Sequence, residues 1–223
     1  MNNKTQTKVN FLTTISKFVK DNIKILILTF AAIFLIFLTY QGYSYYNINK
    51  INKLSISFFE NIKINDELTK YEEMNKISNQ KGFYSILSKL EIIKNNIKNG
   101  EFDDSLKLYN EILNSSGLDN NYVSLVAING AYNFINIVIK NKNVKYIDSI
   151  NNFISLIDDN LDNYIGNKNE LLYLMSILSL NSDSSYKNNK ELLTFYDNMM
   201  NNEKISSTIK ERVKKIHEFY FFI

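Results

Sequence analysis

From Ile25 to Asn49 the chain runs twenty-five residues without a charge, and its apolar centre is the sixteen-residue block Ile25–Tyr40. A helix needs roughly 20 mostly apolar residues to cross the ~30 Å hydrocarbon layer of a membrane. The backbone can sit there as a helix because its own hydrogen bonds satisfy its polar groups. Tyr40, Tyr43, Tyr45 and Tyr46 prolong the block with rings suited to the membrane–water interface. The pattern predicts a transmembrane helix over 23–46, after a basic tail over 1–22.

The same period of three and four continues afterwards. Leu54, Phe58 and Ile62 follow the span without a helix breaker, so the helix is expected to run on into a juxtamembrane segment, 47–80. Within that segment Leu68, Tyr71, Met74 and Ile77 mark a short helix capped by Asp66. Phe83, Ile86, Leu87, Leu90, Ile93 and Ile97 form a clear stripe ending at Gly100, a residue suited to close a helix. Phe102, Leu106, Tyr109, Ile112 and Leu113 mark the next helix, with Asp103 and Asp104 in a first turn where carboxylates suit the dipole. It stops at Ser115-Ser116-Gly117.

The segment 121–140 is apolar around most of its circumference and is expected at the centre of the domain. Val144, Ile147, Ile150, Ile154 and Ile157 mark its partner. A loop is expected around Gly166, then helices over 171–180 and around Leu192–Met200, and a last helix carrying Ile205, Ile209, Val213, Ile216 and Tyr220. No segment alternates as a strand does. The fold class is all-α, with the domain over 81–223 built from helical hairpins whose turns recur roughly every forty residues, a spacing found in helical repeat arrays.

The unit 99–113 resembles the turn and second helix of a tetratricopeptide repeat. Gly100 closes the first helix, Phe102 follows as the aromatic, Ser105 is the small residue at the helix crossing, and Tyr109 is the aromatic four further on. The preceding helix departs from the pattern, with Lys89 in place of a large apolar residue and Asn96 in place of an aromatic. The other two hairpins match in periodicity alone. The order of parts over nearly the whole chain resembles the ancillary subunit of the SecYEG translocon, a bacterial inner-membrane protein. That resemblance implies a tetratricopeptide-like periplasmic domain, association with the translocon and association with a membrane-anchored periplasmic chaperone of the prolyl-isomerase type. It implies no catalytic residues.

Charge agrees with such a topology. The chain has 26 Lys and Arg against 23 Asp and Glu; residues 1–46 hold five Lys and one Asp, leaving 21 against 22 in the other 177 residues. The excess of positive charge is thus confined to the N-terminal side of the apolar block, which predicts a cytoplasmic N-terminus and a periplasmic domain. A cleaved secretory signal would share the basic start and apolar middle. Gly42-Tyr43-Ser44 offers small residues two apart, but tyrosines crowd the site and the apolar run is long for a signal, so an uncleaved anchor is expected. The near-neutral remainder carries no basic stripe for nucleic acid.

Candidate chemistry is sparse. There is no cysteine, hence no disulfide and no thiolate metal site, and no phosphate-binding or dinucleotide fingerprint. The single histidine, His217, is expected to be an ordinary surface or partly buried residue. The doublets Glu72-Glu73, Asp103-Asp104 and Asp158-Asp159 suit caps and polar faces better than acid–base pairs. The aromatic end, Phe219–Ile223, is expected to fold back as a cap on the last helices, the alternative being an exposed aromatic anchor for a partner. The sequence therefore predicts a membrane-tethered interaction protein with no cofactor, metal or small-molecule substrate. A scaffold for envelope or cell-division machinery would use the same surfaces, and a secreted binding module would require cleavage near Ser44.

Overall fold

The computed structural model describes residues 3–142, 144–180 and 190–222, and every regular element among them is helical. The elements in order are α1 (Asn3–Ile62), α2 (Glu67–Ser78), α3 (Phe83–Asn99), α4 (Phe102–Leu113), α5 (Asn120–Asn141), a 3-10 turn (Val144–Tyr146), α6 (Ile147–Ser155), α7 (Asp162–Leu180), α8 (Lys190–Asn201) and α9 (Ser207–Phe222). The chain divides into two compact units, Met1–Lys70 and Tyr71–Ile223, with the boundary inside α2.

The first unit is dominated by α1, 60 residues long, or about 90 Å at 1.5 Å per residue. Its most apolar stretch has no buried residue: Leu28 is 73% exposed and Phe30 71%. Within it, Thr29 and Thr39 return their hydroxyls to the carbonyls of Ile25 and Leu35 one turn back, so they leave no unsatisfied polar group on the helix. Helix α1 is therefore a candidate membrane span by length and apolarity. Asp66 caps α2, accepting from the Thr69 amide at 2.9 Å.

In the second unit, α3 ends in a left-handed Gly100 with φ 83°. The Glu101 amide donates to the Asn96 carbonyl at 2.8 Å and the Gly100 amide to Ile97 at 3.2 Å, the paired bonds of a Schellman end. The chain reverses within two residues into α4. Helix α4 lies against both α3 and α5, and α6 and α7 also pack on α5. Helix α5 is thus central, with Phe134, Ile135, Ala127 and Ala131 fully buried. Its neighbours supply aromatic partners: Tyr109 lies 6.1 Å from Phe134 between ring centroids, Tyr146 5.0 Å and Phe153 6.0 Å. A second core gathers Tyr173 and Ile177 from α7, Leu192 and Met199 from α8, and Ile205, Ile209 and Val213 around α9.

Two expectations are corrected. Gly166 is not in a loop; α7 begins at Asp162 and passes through it. The glycine is there because α9 comes so close that a Cβ would stand 2.7 Å from Ile209 Cδ1. Ile205 precedes α9 rather than belonging to it, yet it is buried against the same core. The turn expected at Ser182-Asp183-Ser184 lies outside the described residues.

Within the first core a close approach falls at Gly130, where a Cβ would meet three atoms of the Phe153 ring at 3.1–3.3 Å. Replacing Gly130 with Leu is expected to force that ring aside and cost about 2–3 kcal/mol. Urea denaturation followed by circular dichroism measures the loss, and an unchanged midpoint would contradict the packing described.

Candidate protein-binding groove

Helices α3 and α5 rest on α4 and leave a groove of about 610 Å³ between them, within the second unit. Ile86, Leu87 and Leu90 of α3 form one wall, and Leu125 and Val126 of α5 the other. Tyr109 of α4 is the floor. Phe83 and Tyr122 meet across one end, their rings 5.9 Å apart. These side chains are apolar because they recur on the helix faces that turn toward α4, and the groove is the part of that surface that α4 is too narrow to fill. Its lips stay open to solvent: Phe83 is 49% exposed, Tyr122 47% and Leu125 51%. A more polar hollow of about 540 Å³ adjoins it around Phe83, running toward Ser115–Asp119.

Of the residues singled out for their repeat-like spacing, Tyr109 lines the groove, while Gly100, Phe102 and Ser105 lie outside it and set how α4 packs. Gly100 makes the turn that sets α4 beneath α3. Ser105 is fully buried at the crossing, donating to the Glu101 carbonyl at 2.9 Å, with the Ile93 carbonyl of α3 at 3.5 Å. Phe102 packs edge-on to Tyr146, at 6.4 Å. Tyr109 is fully buried, and its hydroxyl donates to Asn129 Oδ1 and accepts from Asn133 Nδ2 at 2.7 Å. Burial pushes the Tyr109 phenol up to about 12, so it stays protonated. The two departures from the repeat pattern also have a structural account. Lys89 pairs with Glu111 of α4 at 2.8 Å, and buried Asn96 lies with its amide nitrogen 3.1 Å from the Glu101 carboxylate. The other predicted set, Tyr40, Tyr43, Tyr45 and Tyr46, lies on α1, each about two-thirds exposed.

No protein-family model, curated protein or solved structure matches the chain. What the site can do therefore rests on its own chemistry. Among the described residues no three His, Asp or Glu side chains stand close enough to hold a metal ion. The acidic doublets are engaged at the surface. Asp103 accepts from Lys145 at 2.7 Å and from Tyr146 at 3.0 Å, which holds its carboxyl below the usual range. Asp158 caps the turn to Asn160, and Asp159 pairs with Lys168 at 2.7 Å.

Two polar clusters escaped the sequence reading because their paired members lie 21 to 44 residues apart. Glu170 of α7 is buried; Arg212 of α9 donates to it through Nε at 2.9 Å and through Nη2, and Tyr132 of α5 donates at 2.6 Å. This ties three helices from the two cores together. His217, expected at the surface or partly buried, is buried: its Nδ1 is hydrogen-bonded to the Tyr173 hydroxyl at 2.6 Å and its ring stacks on Tyr196 at 3.9 Å. Burial lowers the His217 pKa despite the nearby Asp197 and Glu218.

A histidine pKa below its unfolded value near 6.5 means that the unfolded chain binds the proton more readily. The stabilising effect is complete above that value and is lost as pH falls toward the folded pKa. The α7–α9 core is thus expected to lose stability between pH 7.5 and 5.5, measured by denaturation at each pH. His217→Gln should flatten that slope, and an equal slope in the variant would contradict the assignment.

Proposed function

We propose that this chain is a non-enzymatic, membrane-tethered protein-interaction subunit. Residues 23–46 would hold it in the bacterial inner membrane with the N-terminus cytoplasmic, and the domain after them would form a tetratricopeptide-like array in the periplasm. The observation that carries the reading is the open groove between α3 and α5, whose apolar lips Phe83, Tyr122 and Leu125 have no covering element among the described residues. A tether raises the effective concentration of the groove near membrane-embedded partners, so weak contacts suffice. In its most specific form, drawn from the resemblance in the order of parts, the partners are the SecYEG translocon and a membrane-anchored periplasmic chaperone.

A photo-crosslinking side chain placed at Leu125, on the groove lip, is compared in membranes with one at Thr208, exposed on α9 outside the groove. Crosslinks from Leu125 to translocon or chaperone components, with few from Thr208, are expected. Division or envelope proteins at Leu125 would instead identify a scaffold. Crosslinks from Thr208 alone would overturn the groove as the binding surface.

A further inference from the structure

The groove is apolar along its walls and amide-lined toward the end away from Phe83. There the Tyr109 hydroxyl, Asn129 and Asn133 close a triangle of hydrogen bonds, the third running from Asn133 Nδ2 to Asn129 Oδ1 at 3.2 Å. The triangle uses the Asn129 oxygen and both Asn133 N–H groups. Both Asn129 N–H groups and the Asn133 carbonyl oxygen have no partner among the described residues, and both residues line the groove. They stand one turn apart on α5, their Cβ atoms about 5–6 Å apart, so a donor and an acceptor are presented together on one helix face.

That pairing suits one kind of ligand backbone. At every second residue an extended chain turns both its N–H and its C=O to the same side, where a donor and an acceptor on one helix face can meet them. A helical ligand has already spent those groups on itself and would leave the Asn pair unused. Charge narrows the ligand further. Glu91 and Lys94 at the rim lie 3.8 Å apart and offset each other, and no other Lys, Arg, Asp or Glu lines the groove. An acidic tail or a basic segment would find no countercharge. The wall from Phe83 to Ile97 is about 21 Å long, enough for roughly six extended residues.

We propose that the groove binds an uncharged, apolar polypeptide segment in extended form, such as an unfolded stretch of another protein. Its side chains would enter between Leu87, Leu90 and Leu125, and one main-chain N–H and C=O would bond to Asn133 Oδ1 and Asn129 Nδ2. This rests on the groove being an interaction surface.

The test uses the full-length chain in lipid nanodiscs and fluorescence anisotropy of three labelled octapeptides. One is an end-capped Val/Leu/Thr/Ser peptide, one is the same peptide with its central amides N-methylated, and one is an acidic peptide with a free carboxylate. The capped peptide is expected to bind saturably and the N-methylated one about five- to tenfold more weakly. Asn129→Asp keeps the acceptor for Tyr109 but removes the outward N–H groups, and should weaken the capped peptide to a similar degree with helix content unchanged. Leu125→Glu, on an exposed lip, should weaken it further. Tighter binding of the acidic peptide, or indifference to N-methylation, would overturn the inference while leaving crosslinks from Leu125 intact. Absence of saturable binding by a chain that does crosslink there would overturn it too, because the groove then takes a folded surface.

Discussion

Helix α5 is apolar on nearly every side, and the second unit is organised by the need to keep it from water. Ten of its twenty-two residues are buried, and no single neighbour covers them. Helix α4 takes one flank through Tyr109 and Ile112, α6 another through Phe153 and Ile154, and α7 a third through Leu171. Small residues set how close they come. Gly130 admits the Phe153 ring, and Ser105 lets α3 and α4 cross. At the end of α5 that carries Tyr122 and Leu125, this arrangement leaves apolar surface open. The groove is thus a consequence of how the core closes, and one of its walls belongs to the central helix of the unit.

Helix α7 carries the packing from the first core to the second. Leu171 faces α5, whereas Tyr173 and Ile177 face α8 and α9. Between them Glu170 receives Tyr132 and Arg212, one from each side. A buried carboxylate stripped of either partner would be costly, so the cluster makes the alignment of α5, α7 and α9 specific as well as favourable. The Tyr173–His217–Tyr196 stack does the same for α8 and α9 with groups that are neutral above the histidine pKa.

Much of this was legible in the chain. The three-and-four periodicity marked the α2–α5 helices nearly to the residue, whereas α1 extends back to Asn3 through what reads as a basic tail; the Asp66 cap and the Gly100 end followed from local chemistry, and the apolar circumference of α5 announced its central place. What failed was anything set by long-range approach. Gly166 reads as a loop residue until Ile209 is seen against it. His217, among Lys214, Lys215 and Glu218, reads as an ordinary surface or partly buried residue, with no sign of the partner that the fold brings to its ring, Tyr173, 44 residues away. The same holds for Glu170 and Arg212. The groove itself was hidden because its wall residues carry the same periodic signal as any buried face, and the sequence pattern contains no sign of which stripe will lack a partner. Phe221 to Ile223 lie outside the residues whose side chains are described; Phe219, just before them, is 60% exposed.

The central claim is that α1 holds an interaction domain at one side of a membrane. The natural absence of cysteine makes this directly measurable. Single cysteines at Lys17, before the apolar run, and at Ser116, in the exposed α4–α5 loop, can be labelled with an impermeant maleimide on spheroplasts before and after lysis. The account predicts that Ser116→Cys reacts before lysis and Lys17→Cys only after it, with the chain retained in alkaline-washed membranes. Equal labelling of both positions before lysis, or release of the chain by the alkaline wash, would contradict it.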